Sequence, residues 1–494
     1  MSEATATMPA TSRYLGLKLT VVVLLAIKLV TLLSANLFSD EAYYWMWGQH
    51  PGLSYYDHPP LNGWLLGLSD LVFGNNLFGL RFWAIPTTIG TIAIFHSWAR
   101  RYAGPEREAV FWRGLVIYLA APAFGFYSVF ATSDHLLLFF ILLSAHFFVP
   151  FLLAERGGEK GQLTDLYAGA AFMGVSALAK YNAVFFGLAL GFYIIASPRL
   201  RHLVRNPHLW LAALLVIIIA SPVLIWNLQN GLVSFQYHLV TRHDAGFLQE
   251  LTSRYLVQFG SVTALMLSPF LIWAMLRFLL RPGDHPYERT HWGLASWLFW
   301  LSTLSFVFIA LTDQVFFWWN MAAYVLLMPF IGSYMRSRVL IGFHVGFGLL
   351  VAAFFVISSS IFPLLLLIDR PDPTRTRFYG WQDVAAPIQQ AIDELRPDFV
   401  AAAKWEDAST AAFALDRPDI VAINPRINQY HYWFDAEAHA GENALVIVHD
   451  GREEGVVARS FETVTVYREL EITRFGRKLG TYRLYWGEGY IPRF

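Results

Sequence analysis

The chain has 494 residues, 56% of them hydrophobic and 17% aromatic, with only 15% charged, against about 25% in soluble globular domains. Lys plus Arg and Asp plus Glu both number 36, so no basic excess is present to neutralise a phosphate backbone and nucleic acid is excluded as a partner. Cysteine is absent, which rules out disulfides, thiolate metal sites and a cysteine nucleophile.

In chain order, apolar runs close to the roughly 20 residues that a helix needs to cross a hydrocarbon core fall at 15–35, 79–99, 109–128, 134–154, 165–180, 182–197, 208–228, 255–279, 291–311, 316–334 and 339–367. They predict a mainly α-helical polytopic membrane protein of about eleven transmembrane helices. The first run is followed by many others, which marks it as a retained helix rather than a cleaved signal. Every second connection is rich in arginine, with Arg100, Arg101, Arg107 and Arg113 around one and Arg199, Arg201 and Arg205 in another. Short arginine-rich connections stay cytoplasmic; the N-terminus is therefore expected inside, and an odd number of spans sends the C-terminus outside. The membrane region is expected to cover 1–368, because Pro371 and Pro373 break the last helix. Residues 369–494 read as a separate soluble α/β domain. Val384, Ile388, Ile392 and Leu395 recur at helical spacing, whereas 398–402, 420–423, 444–448 and 463–467 read as short buried strands.

The first outer loop, about 36–78, is the segment richest in chemistry. Asp40 and Glu41 stand where the first span ends; an ionisable pair at a membrane boundary is either solvated at a helix end or put to use. Asp57 and His58 precede Pro59 and Pro60, which restrict the backbone around them. The rings of Tyr43, Tyr44, Trp45, Trp47, Tyr55 and Tyr56 suit an interfacial belt or the wall of a sugar or lipid site. Asp134 opens the fourth span, Lys180 ends the fifth, and His238, Arg242, His243 and Asp244 lie in the loop 229–254. Singly these are a helix cap, a snorkelling anchor and surface polar groups. Together, on one predicted face, they read as a polar cavity for an anionic ligand, with oxygen and nitrogen ligands suited to a divalent ion.

Asp40-Glu41 after the first helix, Tyr55-Tyr56-Asp57-His58-Pro59-Pro60-Leu61 in the same loop, Thr132-Ser133-Asp134, Ala179-Lys180-Tyr181, and a last domain that opens Phe378-Tyr379-Gly380-Trp381 and contains Asn428-Gln429-Tyr430-His431-Tyr432-Trp433 carry a family resemblance. The chain resembles the bacterial GT-C membrane glycosyltransferases of the protein O-mannosyltransferase and aminoarabinose transferase type, which use a polyprenyl-phosphate sugar. Within them it is similar to the rhizobial-type transferases that place galacturonic acid on lipid A or lipopolysaccharide core. The resemblance implies an inverting glycosyltransferase in the bacterial inner membrane, with its last domain periplasmic, a polyprenyl-phosphate sugar as donor, and lipid A, core or another envelope glycan as acceptor.

Residue by residue, Asp40 matches the general base, Glu41 its motif partner and Asp134 the second acidic position. Asp57-His58-Pro59 stands where aminoarabinose transferases carry Glu-Lys-Pro, with the acid on a metal and the lysine on the donor phosphate. Here His58 replaces that lysine, so the phosphate contact is expected from His58 with Lys180 and Arg242. His238 resembles the histidine of the same metal site, which implies a divalent ion on Asp57 and His238. Tyr55, Tyr56 and Arg81 on the membrane side, and Tyr430 and Trp433 in a last domain that caps the cavity, are expected to bind substrate. For a transferred sugar acid, Arg81, Arg242 and Arg254 are the available partners of its carboxylate. Two other readings stand beside this one: a transferase acting on protein or another envelope glycan, and a non-enzymatic transporter of lipid-linked sugar. A transporter tends to show paired broken helices in related halves, and no internal repeat is visible here.

Overall fold

In lipid, backbone N–H and C=O groups must be paired within their own segment, so long apolar runs close into helices. In the computed structural model, which describes residues 14–239, 253–370, 374–451 and 453–493, six helices are long and apolar enough to cross a membrane. They are Leu15–Ser34, Leu77–Tyr102, Ser133–Gly157, Pro207–Gln229, Pro286–Ile309 and Arg338–Ser360. Two further pairs among the described residues, Gly104–Ala120 with Pro122–Val129 and Ser253–Leu267 with Pro269–Leu280, are bent by 88° and 95°, and each is long and apolar enough to cross as one broken span. Leu61–Phe73, Leu163–Ala179 and Tyr181–Ala196 are apolar but shorter.

The expected span at 316–334 is not one helix. It divides into a turn at Phe317–Asn320 and two short helices, Met321–Val325 and Met328–Tyr334. Conversely, Leu61–Phe73 is a helix inside what reads as the first outer loop. Both sharp bends fall at a proline, Pro122 and Pro269, which has no N–H to continue the ladder. The first bend is stitched from another span: Lys28, buried in Leu15–Ser34, donates to the Phe124 carbonyl at 3.1 Å and to Ser128 Oγ at 2.6 Å. A lysine inside a span is thereby satisfied by the backbone that the bend releases.

Past residue 374 the chain builds a five-stranded sheet in the order β2-β1-β3-β5-β4, with β1 Phe399–Ala402, β2 Val421–Ala422, β3 Ala444–His449, β4 Phe461–Arg474 and β5 Arg477–Tyr490. The first three are parallel to one another, and β5 runs antiparallel to both β3 and β4. The central strand β3 is buried along its whole length, as expected for an apolar run covered on both faces. The helix Trp381–Leu395 packs Val384, Ile388 and Ile392 inward. This α/β unit shares an apolar core with the membrane region, in which Trp45, Trp47 and Tyr55 join Ile388, Tyr430 and Tyr482. Polar ties fix the junction: Tyr379 donates to the Ser358 carbonyl at 2.8 Å, Asn75 to the Phe413 carbonyl at 2.8 Å, and the Tyr56 N–H to Gln429 Oε1 at 2.6 Å.

Candidate active site

A cavity of about 360 Å³ lies at this junction, walled by the first loop and helix ends on one side and by the α/β unit on the other. Its membrane-side wall includes Asp40, Asp57, His58, Asp134, Lys180 and His238, so six of the expected site residues meet although they are spread over nearly 200 positions.

Asp40 and Glu41 both stand in the first turn of the helix Ser39–Gln49, where carboxylates are favoured by the helix dipole. Adjacent helical residues point about 100° apart, and the two acids consequently have different surroundings. Glu41 is fully buried: its carboxylate takes Arg81 Nε at 2.8 Å and Nη2 at 2.7 Å, the Ala131 N–H at 2.8 Å and the Phe38 N–H at 3.2 Å. Arg81 spends its remaining donors on the carbonyls of Leu32, Ala35 and Asn36. The pair clamps the end of the first span to the helix that follows, and neither member reaches the cavity. Asp40 does reach it, and burial raises its pKa above the ordinary aspartate range. The charges of Glu41 and Asp134 push the same way, while Arg377 and Lys180 oppose them.

Asp134, at the start of Ser133–Gly157, holds Lys180 Nζ at 2.6 Å, with both side chains 5% exposed. Lys180 interrupts two short helices in an extended conformation, which presents its ammonium at the cavity instead of along a helix face. The Asp57 carboxylate accepts from the Tyr43 hydroxyl at 2.5 Å, and His238 Nε2 lies 2.9 Å from the Asp57 backbone oxygen. The structure thus brings the expected metal pair, Asp57 and His238, together at one wall of the cavity, with a histidine contact to the main chain and a carboxylate contact to a phenol. Among the described residues no group of three His, Asp or Glu side chains is placed to hold a metal ion. Arg242 lies outside the described residues.

The expected aromatic contacts are redistributed. Tyr55 is 1% exposed and donates to the Trp47 carbonyl at 2.7 Å; Tyr430 is also 1% exposed and pairs with Ser409. Trp433 stacks on His50 and Tyr56 packs beside Tyr237 and Tyr432. All four rings pack the junction between the two halves, and none lines the cavity. The rings that do line it include Tyr43, Tyr44, Tyr127, Trp318, Trp319 and Trp405.

The α/β unit contributes charges that the sequence reading did not single out: Arg377, Lys404, Glu406 and Arg426. Arg377 stands in the short helix Thr374–Phe378 and lies over the Phe38 ring at 5.8 Å. Lys404 and Glu406 flank the start of the helix Trp405–Leu415, and burial raises the pKa of Glu406. The signal that locates them is tertiary, since Trp405 packs on Tyr43 at 4.5 Å and the Gln429 N–H donates to the Tyr43 hydroxyl at 3.0 Å.

Comparison with known proteins agrees with this architecture. The family described as dolichyl-phosphate-mannose-protein mannosyltransferase matches residues 57–226. The lipid A galacturonosyltransferase RgtD of Rhizobium johnstonii is 25% identical over 405 residues, 79% of this chain and 77% of that protein. Among solved structures, ArnT from Cupriavidus metallidurans bound to undecaprenyl phosphate superposes with a TM-score of 0.64 at 16% identity, covering 96% of this chain and 98% of that one. Its apo state gives 0.61.

Proposed function

We propose that this chain is a membrane glycosyltransferase of the ArnT-like GT-C type and that it moves galacturonic acid from a polyprenyl-phosphate donor to lipid A or lipopolysaccharide core on the periplasmic face of the inner membrane. The observation that carries the reading is a carboxylate open to the cavity, Asp40, on the same wall as a buried cation, Lys180, in a pocket closed by a second domain. The 25% identity to a lipid A galacturonosyltransferase supports the choice of sugar and acceptor. Arginine-rich connections support the orientation, with the N-terminus cytoplasmic and residues 369–494 outside.

Glycosyl transfer has two electrostatic demands. The acceptor hydroxyl loses a proton as its oxygen bonds to the anomeric carbon, and the bond to the lipid phosphate breaks with its electron pair going to the phosphate oxygen. Asp40 takes the proton. Lys180, held in place by Asp134, faces the charge that grows on the leaving phosphate, with His58 on the same wall. One displacement inverts the anomeric centre, so no carboxylate nucleophile is needed, in contrast to a retaining glycosidase. Asp57, fixed by Tyr43, orients the loop that carries His58.

A base works only when ionised, so kcat/KM falls as pH drops through the pKa of Asp40. Because burial raises that pKa, the acid limb lies above the roughly 3.9 of an ordinary aspartate. Arg377 lowers it; Arg377→Gln is expected to move the limb to higher pH, and an unmoved limb would separate Arg377 from the base. The function itself is tested with purified protein, labelled polyprenyl-phosphate galacturonate and lipid A. Label appearing in lipid A with release of polyprenyl phosphate is expected. Transfer of a different sugar from the same carrier, with none of galacturonate, would overturn the substrate assignment.

A further inference from the structure

A uronic acid donor carries two negative groups, the phosphate that leaves and the sugar carboxylate that stays. One cation near the membrane serves the first, and the second needs another. Arg81 is saturated by Glu41 and three carbonyls. Lys180 is committed to Asp134, and Lys404 lies 3.7 Å from Glu453. Arg254 lies over Tyr255 and does not line the cavity. Arg377 stacks on Phe38 and acts on Asp40. That leaves Arg426.

Arg426 lines the cavity from the α/β side, opposite the membrane wall. Its backbone is held by two buried asparagines: the Arg426 carbonyl accepts from Asn424 Nδ2 at 3.1 Å and from Asn428 Nδ2 at 3.0 Å, and Asn428 Nδ2 also donates to Asn424 Oδ1 at 2.8 Å. Its guanidinium donates through Nη2 to the buried Tyr237 hydroxyl at 2.9 Å; among the described residues no carboxylate lies within ion-pair distance of it, and the charges of Asp57 and Glu406 act on it from further off. A planar fork fixed at one tip, with donors left over, is preorganised to receive a carboxylate through two parallel hydrogen bonds. We propose that Arg426 is the specificity-determining residue that reads the carboxylate of the transferred sugar, with Tyr237 as its positioning residue. The assignment rests on the galacturonate reading above.

The test compares two synthetic donors on the same polyprenyl phosphate, galacturonate and galactose, which differ only at the carboxylate. For the wild type the ratio of their kcat/KM values favours galacturonate. Arg426→Met is expected to reduce that ratio about tenfold to a hundredfold, the weight of one charge-assisted interaction, while Arg426→Lys retains part of it. Thermal unfolding of each variant in detergent, together with galactose transfer, shows that the fold is kept. An unchanged ratio, or equal loss on both donors, overturns the assignment of Arg426 and leaves the galacturonate reading standing. A wild type that uses galactose and rejects galacturonate overturns both.

Discussion

Asp40→Asn is expected to lower transfer by about 10²–10⁴-fold, the usual contribution of a positioned general base, without lowering the melting temperature. The amide keeps the size of the side chain and cannot take the proton. Stability should hold or rise, because folding buries Asp40 where its charged form is disfavoured. The sign follows from linkage: a carboxyl with a raised pKa opposes folding at any pH above its unfolded value, and a neutral replacement removes that cost. Activity measured beside thermal unfolding in detergent checks both halves. Loss of activity together with loss of fold would return Asp40 to a structural role. Glu406 is the rival base, since it lines the same cavity with its pKa also raised by burial. Glu406→Gln is expected to retain most of the activity that Asp40→Asn loses.

One residue further on, the expected result inverts. Glu41→Gln should destabilise the protein by about 3–5 kcal/mol, as breaking a buried pair by neutralising one partner generally does. Arg81 would remain charged, fully buried and facing only carbonyls and a neutral amide. The measurement is the melting temperature in detergent and the yield of folded protein in the membrane. Per folded molecule, transfer should be affected far less than by Asp40→Asn. A variant that melts like the wild type and transfers nothing would place Glu41 in the chemistry instead.

These two neighbours also show how far the sequence is legible. Their placement after a span marks them as a pair worth attention, and the family resemblance carries both into the site. Only the helix geometry, with Arg81 waiting 40 positions downstream, separates one from the other. The spans are readable because lipid imposes pairing of the backbone within each segment, while the breaks at Pro122 and Pro269 depend on what packs around them. Lys28 illustrates that dependence, because its partners lie about a hundred residues away. In the α/β unit the buried strands β1 and β3 announce themselves as apolar runs. Strand β5 does not, since Arg477–Tyr490 mixes charged residues and glycines. Its hairpin turn at Phe475 and Gly476, both with positive φ, is the local feature that pairs it with β4. Arg377, Glu406 and Arg426 became visible only when the unit docked on the first loop through Tyr43, Trp405 and Gln429. No local pattern distinguishes a docked charge from a solvated one.

Base-assisted transfer of a sugar acid to the envelope lipid is tested most directly by mass spectrometry of lipid A and core from a Gram-negative host supplied with polyprenyl-phosphate galacturonate. A hexuronic-acid increment is expected with the wild type and none with Asp40→Asn, both proteins being folded in the membrane. An increment that survives Asp40→Asn, or no increment with a folded wild type, would contradict it.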